Sequence, residues 1–120
     1  MTTFFKVLSG AFLCVTLATA TVVAEERCEA SWYGPGFNGK RMANGAIFNE
    51  NNPNLVAHKS HPFGTVLEIT NLANGRSLRA TVTDRGPFIA KRCVDLPEAG
   101  AVALGYKNRG HTPVSFRVVN

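Results

Sequence analysis

Asp84 is the side chain in this sequence best set for proton transfer. It closes the alternating run Ser77 to Asp84 and is followed at once by Arg85-Gly86-Pro87-Phe88. Ala80 and Val82 share one face of that run while Thr81 and Thr83 share the other, so the carboxylate arrives where strand pairing ends and a Gly-Pro turn diverts the backbone. A carboxyl group at such a point can exchange a proton with a ligand, and it can equally cap a turn. The second titratable candidate is His58, in Leu55-Val56-Ala57-His58-Lys59. Standing alone, a histidine is most often a hydrogen-bonded structural residue. Cys28 and Cys93 have no ligand-spaced His or Cys beside them, so the pattern is not that of a zinc site.

The elements that must position these groups are short. Cys28 to Tyr33 reads as a strand stopped by Gly34-Pro35-Gly36, with Trp32 and Tyr33 pointing to opposite faces, so at most one of them is free for a ligand. Asn38 to Asn54 is a long Asn- and Gly-rich loop, a length more often functional than idle. Leu55 to Lys59 returns to strand. Thr65 to Asn71 and Ser77 to Asp84 form a hairpin whose Asn74-Gly75 supplies residues tolerant of positive φ. Cys93 to Leu96 is a further strand. A helix is predicted over Pro97 to Leu104, stopped by Gly105 and packed through Ala99, Val102 and Ala103, and Pro113 to Val119 closes the chain as a strand. About six short strands and one helix point to a small, mainly β, closed or nearly closed barrel, because closure removes vulnerable edges.

Residues 1–24 read as a secretory signal peptide: Lys6, an apolar run from Val7 to about Leu17, and Val22-Val23-Ala24 before the polar Glu25-Glu26. The run is too short and too rich in Thr and Ala for a membrane anchor, which takes ~20 apolar residues. Leu13 directly before Cys14 does not suit lipoprotein processing, so no lipid anchor is expected. Residues 25–120 then form one domain with 12 basic and 8 acidic side chains. A basic exported domain suggests an anionic wall or membrane-surface partner, and its periplasmic or secreted location argues against nucleic acid. The even pair Cys28 and Cys93 predicts a disulfide in that compartment.

Several strings occur in order across nearly all of this domain: Ala30-Ser31-Trp32-Tyr33-Gly34, Ala43-Asn44-Gly45, Ala57-His58-Lys59, Pro62-Phe63-Gly64-Thr65, Asn74-Gly75-Arg76-Ser77, Asp84-Arg85-Gly86-Pro87-Phe88 and Asp95-Leu96. Together they resemble the rare lipoprotein A family of bacterial cell-envelope proteins. The resemblance implies a six-stranded double-psi β-barrel with one short helix, acting without a cofactor or metal as a monomer on peptidoglycan glycan strands, with a preference for strands stripped of peptides. It implies lytic transglycosylation, with Asp84 and His58 as the catalytic pair and Tyr33, Asn44, Lys59, Arg85 and Phe88 as substrate contacts. The family's acidic residue after Asn-Gly falls on Ala46, and another commonly found three positions later falls on Asn49, which leaves Glu50 as the nearest carboxylate in the loop. In lytic transglycosylation the muramic acid C6 hydroxyl attacks its own anomeric carbon and gives a 1,6-anhydro product, so a single acid/base Asp84 could suffice. The alternatives are an expansin-like module that binds or loosens wall glycan without cutting it, and a secreted barwin-like defence or inhibitor protein.

Overall fold

The computed structural model describes residues 24–120. The expected signal peptide, except Ala24, therefore lies outside the described residues, as does Cys14. Six strands and one helix follow in order: β1 Glu26–Trp32, β2 Leu55–His58, β3 Val66–Asn71, β4 Ser77–Asp84, β5 Arg92–Leu96, α1 Glu98–Leu104 and β6 His111–Val118. The strands close into a barrel in the spatial order β1-β5-β2-β4-β3-β6. Two of the pairings, β1 with β5 and β2 with β4, are parallel, and the others are antiparallel. The fold is thus the small closed barrel that the strand count predicts. Among the described residues, no helix is long and apolar enough to cross a membrane.

Alternation decides which side chains fill the barrel. Val56, Leu67, Ile69, Ala80, Val82, Val94, Leu96, Val114 and Phe116 are all buried in one cluster, and the intervening residues of each strand face outward. The hairpin of β3 and β4 closes as the sequence suggests, with Gly75 at φ 79° and its N–H donating to the Asn71 carbonyl. Asn71 itself is buried. Its amide donates to the Leu104 carbonyl, and its carbonyl oxygen accepts from the Ala73 N–H and the Thr112 hydroxyl, which ties the hairpin to the helix end and to β6.

Helix α1 differs from expectation in the face it buries. Gly100, Ala101 and Leu104 pack inward, whereas Val102 is 54% exposed. The helix has only two turns and runs very close to β5: a Cβ on Gly100 would lie 3.1 Å from Leu96 Cβ and 3.4 Å from the Pro53 carbonyl oxygen. The absence of a side chain permits that approach, and the approach sets the helix rotation. Pro97 is the extended N-cap residue, one position before the predicted helical start. Cys28 and Cys93 form a disulfide, Cα–Cα 5.8 Å, joining β1 to β5.

Candidate active site

The pairing register builds a lateral row of residues across the barrel wall. Asp84 of β4 pairs with Ala57 of β2, Ala57 with Asp95 of β5, and Asp95 with Ser31 of β1. Paired residues project to the same face. Val56, Val82, Val94 and Leu96 occupy the core face, so the row occupies the outer one. The register shift between Val56 and Ala57 matters here, because it puts Asp84 rather than Thr83 opposite Ala57. Asp84 and Asp95 therefore stand on one face two strand spacings apart, roughly 10 Å between backbones, with Ala57, itself buried, as the paired residue between them.

Each carboxyl group is held differently. Asp84 Oδ2 accepts the Tyr33 hydroxyl at 2.6 Å, and Oδ1 accepts the backbone N–H groups of Ala43 and Arg85, both at 2.9 Å. Tyr33 is fixed in turn by Phe48, 4.3 Å between ring centroids, and by Phe37 at 5.6 Å. Burial raises the Tyr33 pKa above the ordinary phenol value, and its bond to Asp84 adds to this, so Tyr33 remains a donor. Asp95 accepts the Ser31 hydroxyl at 2.7 Å. Burial raises the Asp95 pKa above the ordinary carboxyl value and the Asp84 charge adds to the rise, while the Ser31 bond and Arg92 oppose it.

The long loop of the sequence supplies backbone and packing to this site. Met42 and Phe48 are buried anchors, a single bridge joins Arg41 to Ile47, and between them the Met42 N–H donates to the Ala46 carbonyl. That tight turn delivers the Ala43 N–H to Asp84. Asn44 stays within the turn: its N–H donates to the Thr83 carbonyl at 3.2 Å and its side-chain oxygen accepts the Ala46 N–H at 2.9 Å. Glu50 lies elsewhere, lining a separate hollow with Trp32, Pro35, Glu98 and Lys107. On the far side of Asp84 the chain turns through Gly86, at φ 113°, and a cis Gly86-Pro87 bond. Phe88 is then left 78% exposed.

The other expected site residues are dispersed. His58 is one residue beyond Ala57 and so projects to the opposite face. It is 7% exposed, packs edge-on against Phe116 at 5.4 Å and lies tilted against His61 at 4.4 Å. Its Nδ1 accepts the N–H groups of Ser60 and His61, each at 3.0 Å, which places the proton of the neutral ring on Nε2. Burial lowers the His58 pKa below the ordinary imidazole value, and His61 lowers it further. No side-chain contact joins it to Asp84 among the described residues. Arg85 is the link: its N–H holds Asp84 while its guanidinium donates to the carbonyls of His58 and His61 at 3.3 and 2.8 Å and covers the Phe63 ring at 4.1 Å. Lys59 lines a cleft beside the disulfide, away from Asp84's partners. Asp95 is the site residue that the motifs do not single out. Its signal was the alternation of Val94 and Leu96 around it, which turns a carboxylate outward in mid-strand.

Residues 15–116 match the family described as lytic transglycolase. The chain belongs to this family. The lytic transglycolase match is joined by relatives named for peptidoglycan chemistry. A probable endolytic peptidoglycan transglycosylase RlpA of Synechocystis sp. is 44% identical over 102 residues, covering 85% of this chain and 32% of the relative. The endolytic peptidoglycan transglycosylase RlpA of Campylobacter jejuni is 43% identical over 90 residues, covering 75% of this chain and 32% of the relative. The chain thus spans about a third of the length of these curated relatives. Among solved structures, the apo expansin of Clavibacter michiganensis superposes with a TM-score of 0.62 at 26% identity, over 81% of this chain and 51% of the expansin.

Proposed function

We propose that this chain cleaves peptidoglycan glycan strands by lytic transglycosylation, with Asp84 and Asp95 sharing the proton traffic. The observation that carries the reading is the row Asp84–Ala57–Asp95, two carboxyl groups on one face in unlike settings. Asp84, whose two oxygens accept three donors, is set to take the proton of the muramic acid C6 hydroxyl. Asp95, pushed toward its neutral form by burial, is set to give a proton to the glycosidic oxygen. The C6 oxygen bonds to the anomeric carbon as the bond from that carbon to the leaving sugar oxygen breaks. Each carboxyl group changes by one proton in opposite senses, and solvent returns both to their starting states. Tyr33 and the Ala43 N–H orient Asp84, exposed Phe88 offers a sugar-stacking face, and His58 acts as a positioning residue through Arg85. The relatives' names support the substrate class. On this reading the second carboxylate comes from β5, not from the loop position that holds Ala46.

The test is digestion of peptide-free glycan strands with mass analysis of the products. Wild type yields 1,6-anhydro-muramic ends, and Asp84→Asn and Asp95→Asn each lose about 100-fold or more in rate, the scale of general acid–base catalysis. Full activity in Asp95→Asn with loss in Asp84→Asn would return the mechanism to a single carboxylate. Wild type that retains glycan without forming anhydro ends would make the chain a binding module.

A further inference from the structure

A cleft of about 540 Å³ lies apart from the groups that hold Asp84. It adjoins the Asp84 site along β1 and β5, where Glu29 precedes Ser31 and Cys93 precedes Asp95 by two residues. Four cations line it: Arg27, Lys59, Lys91 and Arg92. Glu29 is the one carboxylate lining it, and Glu29 is paired with His111 at 2.9 Å. Among the described residues, Lys59, Lys91 and Arg92 have no carboxylate oxygen within 4 Å, and Arg27 has only the exposed Glu25 at 3.4 Å. Leu72, Pro113 and the Cys28–Cys93 disulfide supply an apolar lining, backed by the buried Val114 of the core. Lys91 also stands at φ 70°, a left-handed conformation that a lysine adopts at a cost and a glycine would not.

We propose that this cleft is a second binding site, for a short acidic peptide with small aliphatic side chains. Unpaired cations around a concave surface call for an anionic ligand, and guanidinium groups favour carboxylates. The apolar lining calls for methyl groups as well, which a polyphosphate or a bare sugar chain would not provide. A membrane surface would need a protruding basic face, whereas these cations surround a hollow. Alanine- and glutamate-containing stem peptides of peptidoglycan have this combination. Assigning the cleft to them rests on the wall reading above, whereas peptide binding itself does not. Such a site would hold the protein on peptide-bearing wall while the adjoining face works on bare strands.

The experiment is NMR titration of the protein with the free tetrapeptide L-alanyl-D-isoglutamyl-diaminopimelyl-D-alanine. Saturable shifts at Leu72, Lys91 and Val114 are expected, weakened by added salt. Lys91→Gly removes one cation and relieves the backbone, so it keeps or raises the melting temperature while weakening binding about tenfold. Arg27→Gln added to it weakens binding further. No saturation up to about 10 mM peptide would overturn the proposal, as would undiminished binding in Lys91→Gly. Equal displacement of the peptide by inorganic phosphate would reduce the cleft to a general anion site. Equal displacement by phosphatidylglycerol vesicles would make it a membrane contact, and either outcome overturns the proposal. Anhydro-product formation from peptide-free strands is unchanged in Lys91→Gly, so loss of peptide binding and failure of the cleavage reading are read separately.

Discussion

Replacing Tyr33 by phenylalanine tests the site at its tightest contact. The hydroxyl donates to Asp84 Oδ2 at 2.6 Å, while the ring rests on Phe48 at 4.3 Å and Phe37 at 5.6 Å. Tyr33→Phe removes the first interaction and keeps the other two. A hydrogen bond to a charged group is worth about 1.5–3 kcal/mol, and if that orientation is needed in the transition state the rate falls about 10- to 150-fold. Stability should change by only about 1 kcal/mol, because Asp84 is half-buried and water can replace the lost donor. The assay is release of anhydro-muramic ends over a range of glycan concentrations, and the loss is expected in kcat more than in KM. Combining Tyr33→Phe with Asp84→Asn should cost no more than Asp84→Asn alone, since the hydroxyl acts through that carboxylate. Turnover of Tyr33→Phe within about twofold of wild type would refute the argument that the phenol positions Asp84.

His58 is held neutral in the fold, with burial the main cause, aided by His61, Arg85 and Lys59 and opposed by Glu26. Below its ordinary pKa near 6.5 the unfolded chain takes up a proton that the folded chain refuses, so stability falls as pH drops through that value. His58→Asn keeps an acceptor for the Ser60 and His61 N–H groups and should flatten the fall in melting temperature below pH 6.5; an unchanged slope would assign it to other groups. Replacing Cys28 and Cys93 together by serine opens a loop with a sequence separation of 65 and should cost about 4 kcal/mol in denaturant unfolding, with a loss below about 1 kcal/mol counting against the bridge as a main restraint. Ala46→Glu introduces the acidic residue expected from the family resemblance. If Asp84 and Asp95 already complete the site, it leaves the rate of anhydro-product formation within about threefold of wild type, and a gain of about tenfold or more would show the site to be one acid short.

How much of this was legible in the sequence depended on whether local pattern or distant pairing set the outcome. Strand β4 and its hairpin are local: alternation gives the faces and Asn74-Gly75 gives the turn, so Asp84 is legible at the strand end. The helix existed as predicted, but its rotation follows from how closely Gly100 approaches Leu96, a contact between elements that helical periodicity over seven residues does not encode. The motif groups His58 with Asp84, yet its neighbour Ala57 is the residue paired with Asp84, and a single step along a strand changes the face. Asp95 required still more. Its place beside Asp84 exists only because β2 inserts between β4 and β5, an order that the succession of elements along the chain does not reveal.

That insertion separates the parts of the site that are fixed from those free to vary. The carboxylates stand on two strands that each pair with β2, where register and the closed barrel hold their backbones. The loop between β1 and β2 meets Asp84 through the Ala43 N–H, which residues with almost any side chain would provide so long as Met42 and Phe48 keep their anchors. A side chain at position 46 therefore adds to the site without holding it together. Loss of an acid there leaves the strand-borne pair, its phenol donor and its intervening alanine in place. Enlarging Ala57 would strike the one position that both aspartates flank, and it is there, more than at Ala46, that this barrel has no room for a substitute.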